Sequence, residues 1–159
     1  MADWNSLAAG QTYPPGTLYV VATPIGNVAD LSLRALHVLG LVDAIACEDT
    51  RNTGQLLTRV GLHRPLVAVH EHNEREAAER IVARLAAGER IAYVSDAGTP
   101  GISDPGARLV EAVRTLDLLL AELPAKRAAK LAAAITGART DALYQLALSR
   151  KAQGNDAED

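Results

Sequence analysis

Four near-continuously apolar runs recur along the first hundred residues: TLYVVA (17–22), DAIACE (43–48), PLVAVH (65–70) and RIAYVS (90–95). Each is too short for a core helix and reads as a buried strand. After each run, apolar residues return at helical spacing, over 30–42, 49–60, 73–88 and 104–114. Polar residues that suit helix starts precede these segments: Asp30 or Ser32, Asp49 or Thr50, and Asn73 with Glu76 three residues on. Continuous rather than alternating apolarity marks strands covered on both faces, as in a parallel sheet. The predicted fold is therefore α/β: a mostly parallel sheet of about four strands, residues 17–114, with helices on both faces.

The alternation stops at Arg114. Residues 115–151 hold no fifth strand run and are rich in Ala and Leu. Pro124 opens one helix there, Gly137 closes it, and Thr140 or Asp141 opens another, so a C-terminal helical hairpin is expected. A boundary is placed at Arg114/Thr115. Residues 1–16, punctuated by Pro14, Pro15 and Gly16, read as a short mobile tail; AQGNDAED (152–159) reads as a disordered acidic one.

Composition changes this picture in three places. Apolar residues make up 48% of the 159 and aromatics only 3%, so Leu, Val, Ile and Ala must build the core. The single cysteine, Cys47, excludes an intrachain disulfide and multi-cysteine zinc sites; it reads as a core residue and suits a cytoplasmic protein. No run reaches the ~18 apolar residues of a membrane span, and the N-terminus lacks the basic start and apolar stretch of a secretory signal. The net charge of −3 conceals an asymmetry: 115–151 carries six basic and three acidic residues and all three lysines. That segment is either a solvated helix face or a nucleic-acid-facing surface.

The candidate chemistry falls at the carboxyl ends of the strands, where doubly wound sheets bind ligands. TPIGN (23–27) follows the first strand and is at least a tight turn. CEDTRNT (47–53) follows the second; its Glu48, Asp49 and Arg51 form either a structural ion pair or a hold on a polar ligand. HEHNE (70–74) follows the third; its two histidines lack a third ligand at suitable spacing, and no metal is assigned. SDAGTPGISDPG (95–106) follows the fourth and is far longer than the ~2–6 residues such connections take. It is neither a Gly-Lys-Ser/Thr phosphate loop nor GxGxxG, and no lysine precedes Lys126. Gly98, Gly101 and Gly106 let backbone approach a ligand, and Asp96 and Asp104 offer carboxylates. A neutral or cationic ligand fits this loop better than a phosphate.

Together LYVVATPIGNVADLSLRAL, ACEDTRNTGQLL, HEHNE and SDAGTPGISDPGARLV closely resemble the small-subunit ribosomal RNA methyltransferase I family, the cytidine-2′-O branch of the tetrapyrrole methylase superfamily. The resemblance implies S-adenosyl-L-methionine (SAM) as methyl donor, set against Thr23, Pro24, Gly26, Asn27, Ser95, Asp96, Ala97, Gly98, Thr99, Pro100, Ser103 and Asp104. It implies a cytidine ribose in the decoding region of small-subunit rRNA as acceptor, the 30S subunit as partner, and a homodimer. Glu48, Asp49 and Asp96 are the acidic candidates for the hydroxyl's proton, none singled out. The C-terminal hairpin resembles the family's helix-turn-helix-like segment: Ala133 and Gly137 are spaced as at its tight turn, and Leu143 and Leu146 supply the packing side. Lys126, Arg127, Lys130 and Arg139, with Arg51, are the expected RNA contacts. The family's fifth strand and second α/β domain have no counterpart here; the sequence passes from Arg114 to the C-terminal helices. Half the donor cleft is then lacking and impaired activity is expected. Two rival readings remain: a non-catalytic RNA-binding fragment, and a tetrapyrrole-precursor methylase, which the basic hairpin disfavours.

Overall fold

The computed structural model describes residues 3–100 and 105–156. Seven α-helices and four strands lie along them, alternating up to α5: α1 (Trp4–Ala9), β1 (Leu18–Val20), α2 (Leu33–Leu41), β2 (Ala44–Cys47), α3 (Thr50–Arg59), β3 (Leu66–Ala68), α4 (Glu74–Ala86), β4 (Ile91–Val94), α5 (Ala107–Leu120), α6 (Ala125–Thr136) and α7 (Thr140–Asp156). The strands form one all-parallel sheet in the order β1-β4-β2-β3. β4 lies between β1 and β2, with Leu18 and Ala44 both level with Ile91.

The central strands explain the continuous apolar runs. Every residue of β2 and β4 is buried, and successive side chains leave opposite faces. Ala44, Ala46, Ile91 and Tyr93 join a cluster with Ile81 and Leu85 of α4 and Leu109 and Leu116 of α5. Ile45, Cys47, Ala92 and Val94 join the opposite cluster, with Ala35, Val38 and Leu39 of α2 and Leu57 of α3. β1 and β3 are the edges, and Val20 is 43% exposed.

Local chemistry sets the helix starts. The Ser32 hydroxyl accepts a bond from the Ala35 N–H at 3.0 Å and opens α2; the Asp49 carboxylate accepts from the Arg51 N–H at 2.9 Å and opens α3. Asn73 precedes α4 without capping it. Its side chain turns back to β3 instead, accepting from the His70 N–H at 2.8 Å and donating to the Ala68 carbonyl at 3.0 Å.

Packing links the segments that the sequence divides. α5 runs without a break through Arg114/Thr115 to Leu120, because Leu109, Ala112, Val113 and Leu116 continue one buried row across that point. The C-terminal hairpin is accordingly packed into the main core: Ala128, Ala129, Ala132, Leu143, Leu146 and Ala147 belong to the same cluster as Tyr93 and Leu109. Residues 3–16 are tied down rather than loose. Asp3 caps α1, the Tyr13 ring lies 4.9 Å from that of His37, and the Arg90 guanidinium donates to the Tyr13 carbonyl at 2.9 Å. At the other end α7 takes in residues 152–156 of the expected disordered tail. Arg150, bonded to Asp117 at 2.9 Å and to the Gly16 carbonyl, anchors its last turns.

Candidate functional site

The connections leave the sheet in two directions. The chain after β1 and β2 passes to α2 and α3 on one face, and the chain after β4 passes to α5 on the other. Adjacent strands whose connections diverge leave a crevice at their carboxyl ends. It is an open cleft of about 270 Å³, lined by the loop after β1 (Thr23–Gly26, Val28), the loop after β4 (Ser95–Ala97) and one face of α3.

The two loops are joined to each other. The Thr23 N–H donates to the Gly98 carbonyl at 2.9 Å, and the Gly98 N–H returns a bond to the Thr23 carbonyl at 3.0 Å. The Thr23 hydroxyl donates to the Ser95 carbonyl at 3.1 Å, and the Ser95 hydroxyl to the Ala97 carbonyl at 3.2 Å. Gly98 has φ +81°, a left-handed conformation that L side chains rarely adopt, which turns its backbone toward Thr23. Behind the loops, Tyr93 holds the start of α5: its hydroxyl accepts the Gly106 N–H at 3.0 Å. A Cβ at Gly106 would stand 2.1 Å from the Tyr93 ring.

The residues expected to face the donor therefore divide. Thr23, Pro24, Gly26, Ser95, Asp96 and Ala97 line the cleft, and Gly98 fixes its floor. Asn27 turns away, its side chain accepting the Ala29 N–H at 3.0 Å. Thr99 faces a second groove, with Tyr13, Tyr19 and Arg34. Pro100 ends the described segment, and Ser103 and Asp104 lie outside the described residues.

Of the three carboxylate candidates only Asp96 lines the cleft. Glu48 is exposed beyond the end of β2. Asp49 is occupied as the cap of α3 and lies 3.7 Å from the Arg51 guanidinium. Cys47, level with Val94, is buried beneath them. Burial pushes its thiol pKa up, a hydrogen bond from Thr53 opposes this, and the Asp96 and Asp49 carboxylates push it further up. His72 pairs with Glu71 at 3.4 Å. Among the described residues no three His, Cys, Asp or Glu side chains gather as a metal site.

The basic residues divide as well. Lys126, Arg127 and Lys130 are exposed along α6 and make no ion pair among the described residues. Arg139 is drawn to Glu79 at 3.7 Å and Asp141 at 3.8 Å. It borders a cleft between α4, α5 and the α6–α7 turn, where Arg108 also pairs with Glu74 at 3.8 Å. Opposite charges there compensate one another on the α4–α5 face of the sheet, opposite α3.

The wall supplied by α3 was missed in the sequence: Asn52, Gln55, Leu56 and Arg59. Their spacing of i, i+3, i+4 and i+7 was the available signal. Polar residues on such a stripe, opposite the buried Thr53 and Leu57, mean that the helix covers the sheet with one side and faces solvent or ligand with the other.

Such a sheet and cleft define an α/β protein of the doubly wound type, which takes its ligand at the carboxyl edge. Residues 17–150 match the tetrapyrrole (corrin/porphyrin) methylases, and the chain belongs to that family. It is similar to the Xylella fastidiosa protein named ribosomal RNA small subunit methyltransferase I, 54% identical over 123 residues, covering 77% of this chain and 45% of that protein. Proteins of the same name from Escherichia coli O157:H7 and Pseudomonas aeruginosa are 48% and 46% identical over 140 residues, covering 87% of this chain and 49% and 50% of theirs. The chain thus spans about half the length of the curated relatives it matches. No described helix is long and apolar enough to cross a membrane.

Proposed function

We propose that this chain carries the donor-binding wall of a SAM-dependent methyltransferase that acts on a cytidine 2′-hydroxyl of small-subunit rRNA. The observation that carries the reading is the Thr23–Gly98 pairing, which welds the two glycine loops into one surface beside Asp96. The residues fit the donor: the Asp96 carboxylate suits a cation, and the one lining cation, Arg59, sits along α3 away from it. When bound, SAM supplies an electrophilic methyl on a cationic sulfonium. Thr23, Pro24, Ser95 and Ala97 hold the ligand in place, and orientation of this kind is a large part of a two-substrate barrier. Asp96 holds positive charge or accepts the hydrogen bond of the ribose hydroxyl. Because the chain spans half of its relatives, donor binding and transfer by this chain alone are proposed to be weak.

Calorimetric titration with SAM tests the reading. Heat that saturates at one equivalent, and is lost in Asp96→Asn, supports it. Silence with SAM alongside salt-dependent RNA binding favours the second reading, an RNA-binding fragment, for which the unpaired Lys126, Arg127 and Lys130 on α6 speak.

A further inference from the structure

Among the described residues lining the cleft, Asp96 is the one acidic side chain and Arg59 the one basic side chain. They stand at opposite ends. Cys47 and Val94 are level in neighbouring strands, so Asp49 and Asp96, each two residues further on, lie side by side at the start of α3, and both act on the Cys47 thiol. Arg59 is ten residues along the helix from Asp49, roughly 15 Å at 1.5 Å per residue. Its side chain leans back toward the helix start, into the cleft it lines.

Arg59 is also uncommitted. Arg51, Arg84, Arg108, Arg139 and Arg150 each meet a carboxylate; Arg59 is exposed and, like Arg34, Arg75, Arg80, Arg114 and Arg127, makes no ion pair or side-chain hydrogen bond among the described residues, but of these six it alone lines this cleft. Asn52 and Gln55 lie on the same face between the two charges. An amino-acid head group carries its ammonium and carboxylate a few bonds apart, too close to reach both ends of such a cleft. A donor held at Asp96 therefore leaves the cation for a different anion. A guanidinium's fork matches a phosphate with two parallel hydrogen bonds.

We infer that Arg59 clamps a backbone phosphate of the acceptor RNA, with Asn52 and Gln55 meeting the strand between that phosphate and the donor. The inference rests on the rRNA reading above. The bland alternative is a cation that merely complements the carboxyl end of α3.

The full chain, Arg59→Gln and Arg59→Lys are compared on a single-stranded, cytidine-containing RNA 12-mer at a series of salt concentrations, with SAM titrated separately. Arg59→Gln is expected to weaken RNA binding and to flatten the slope of log K against log salt by about 0.7, one phosphate contact on a single strand. Arg59→Lys restores the slope but not the full affinity, and the SAM dissociation constant stays put in both. An unchanged slope in Arg59→Gln overturns the clamp, leaving the helix-end role. Lost SAM affinity with an intact slope also overturns it, since the anion is then the donor's carboxylate. A wild-type chain without salt-dependent RNA binding overturns it as well. A wild type that ignores SAM while Arg59→Gln still flattens the slope sinks the methyl-transfer reading and keeps the RNA contact.

Discussion

Tyr93 and Gly106 meet so closely that neither position has latitude. The Tyr93 ring fills the space where any Cβ on Gly106 would go, and its hydroxyl takes the N–H that opens α5. Gly106→Ala should cost about 1–3 kcal/mol, the usual range for overpacking a filled site, read as a lower denaturation midpoint at unchanged slope. Cys47 makes a pH-dependent prediction. Its thiol pKa in the fold lies above the ordinary 9.0, chiefly through burial. Stability from keeping the thiol neutral is fully present below pH 9 and is lost as pH rises through the higher folded value. The stability of wild type relative to Cys47→Ala should thus shrink on titration above pH 9 and be flat between pH 6 and 8. A difference that grows with alkali would contradict a buried neutral thiol.

At the scale of elements, strands and helices were legible because burial leaves a plain mark. β2 and β4 are covered on both faces and show it as unbroken apolar runs. Ser32, Asp49, Pro124 and Gly137 punctuate helices as their chemistry requires. Less legible was anything decided by a distant partner. Asn73 has the chemistry of a cap, but the Ala68 carbonyl of β3 and the His70 N–H just beyond it engage its side chain instead. The order β1-β4-β2-β3 has no local signature either, since β1 and β4 meet through residues about 70 positions apart. The candidate site was half visible: its glycine loops have unusual composition, whereas its α3 wall is an ordinary polar helix face until the loops are seen opposite it.

At the scale of the molecule, the expected boundary at Arg114 is instructive, because α5 runs through it. Composition shifts there, but packing does not, and packing defines the unit. α6 and α7 close the same cluster that α4, α5 and the sheet begin. The chain should therefore unfold in one transition, with calorimetric and van't Hoff enthalpies equal. Leu116→Ala, in the middle of that cluster and fully buried, should lower its stability by about 2–5 kcal/mol without splitting the transition. Two separate transitions would show that the helical hairpin is a domain of its own.

The strand order also has a consequence in time. β2 and β3 are neighbours in sequence and in the sheet, so they can pair as soon as both are made. β1 is made first but is held by β4, about 70 residues later, and synthesis at 5–20 residues per second puts roughly 4–15 s between them. Through that interval the newborn chain carries Leu18, Tyr19 and Val20 as an unmatched apolar strand. The arrival of one segment, β4, then joins both halves of the sheet and brings the Thr23 and Gly98 loops together in the same event.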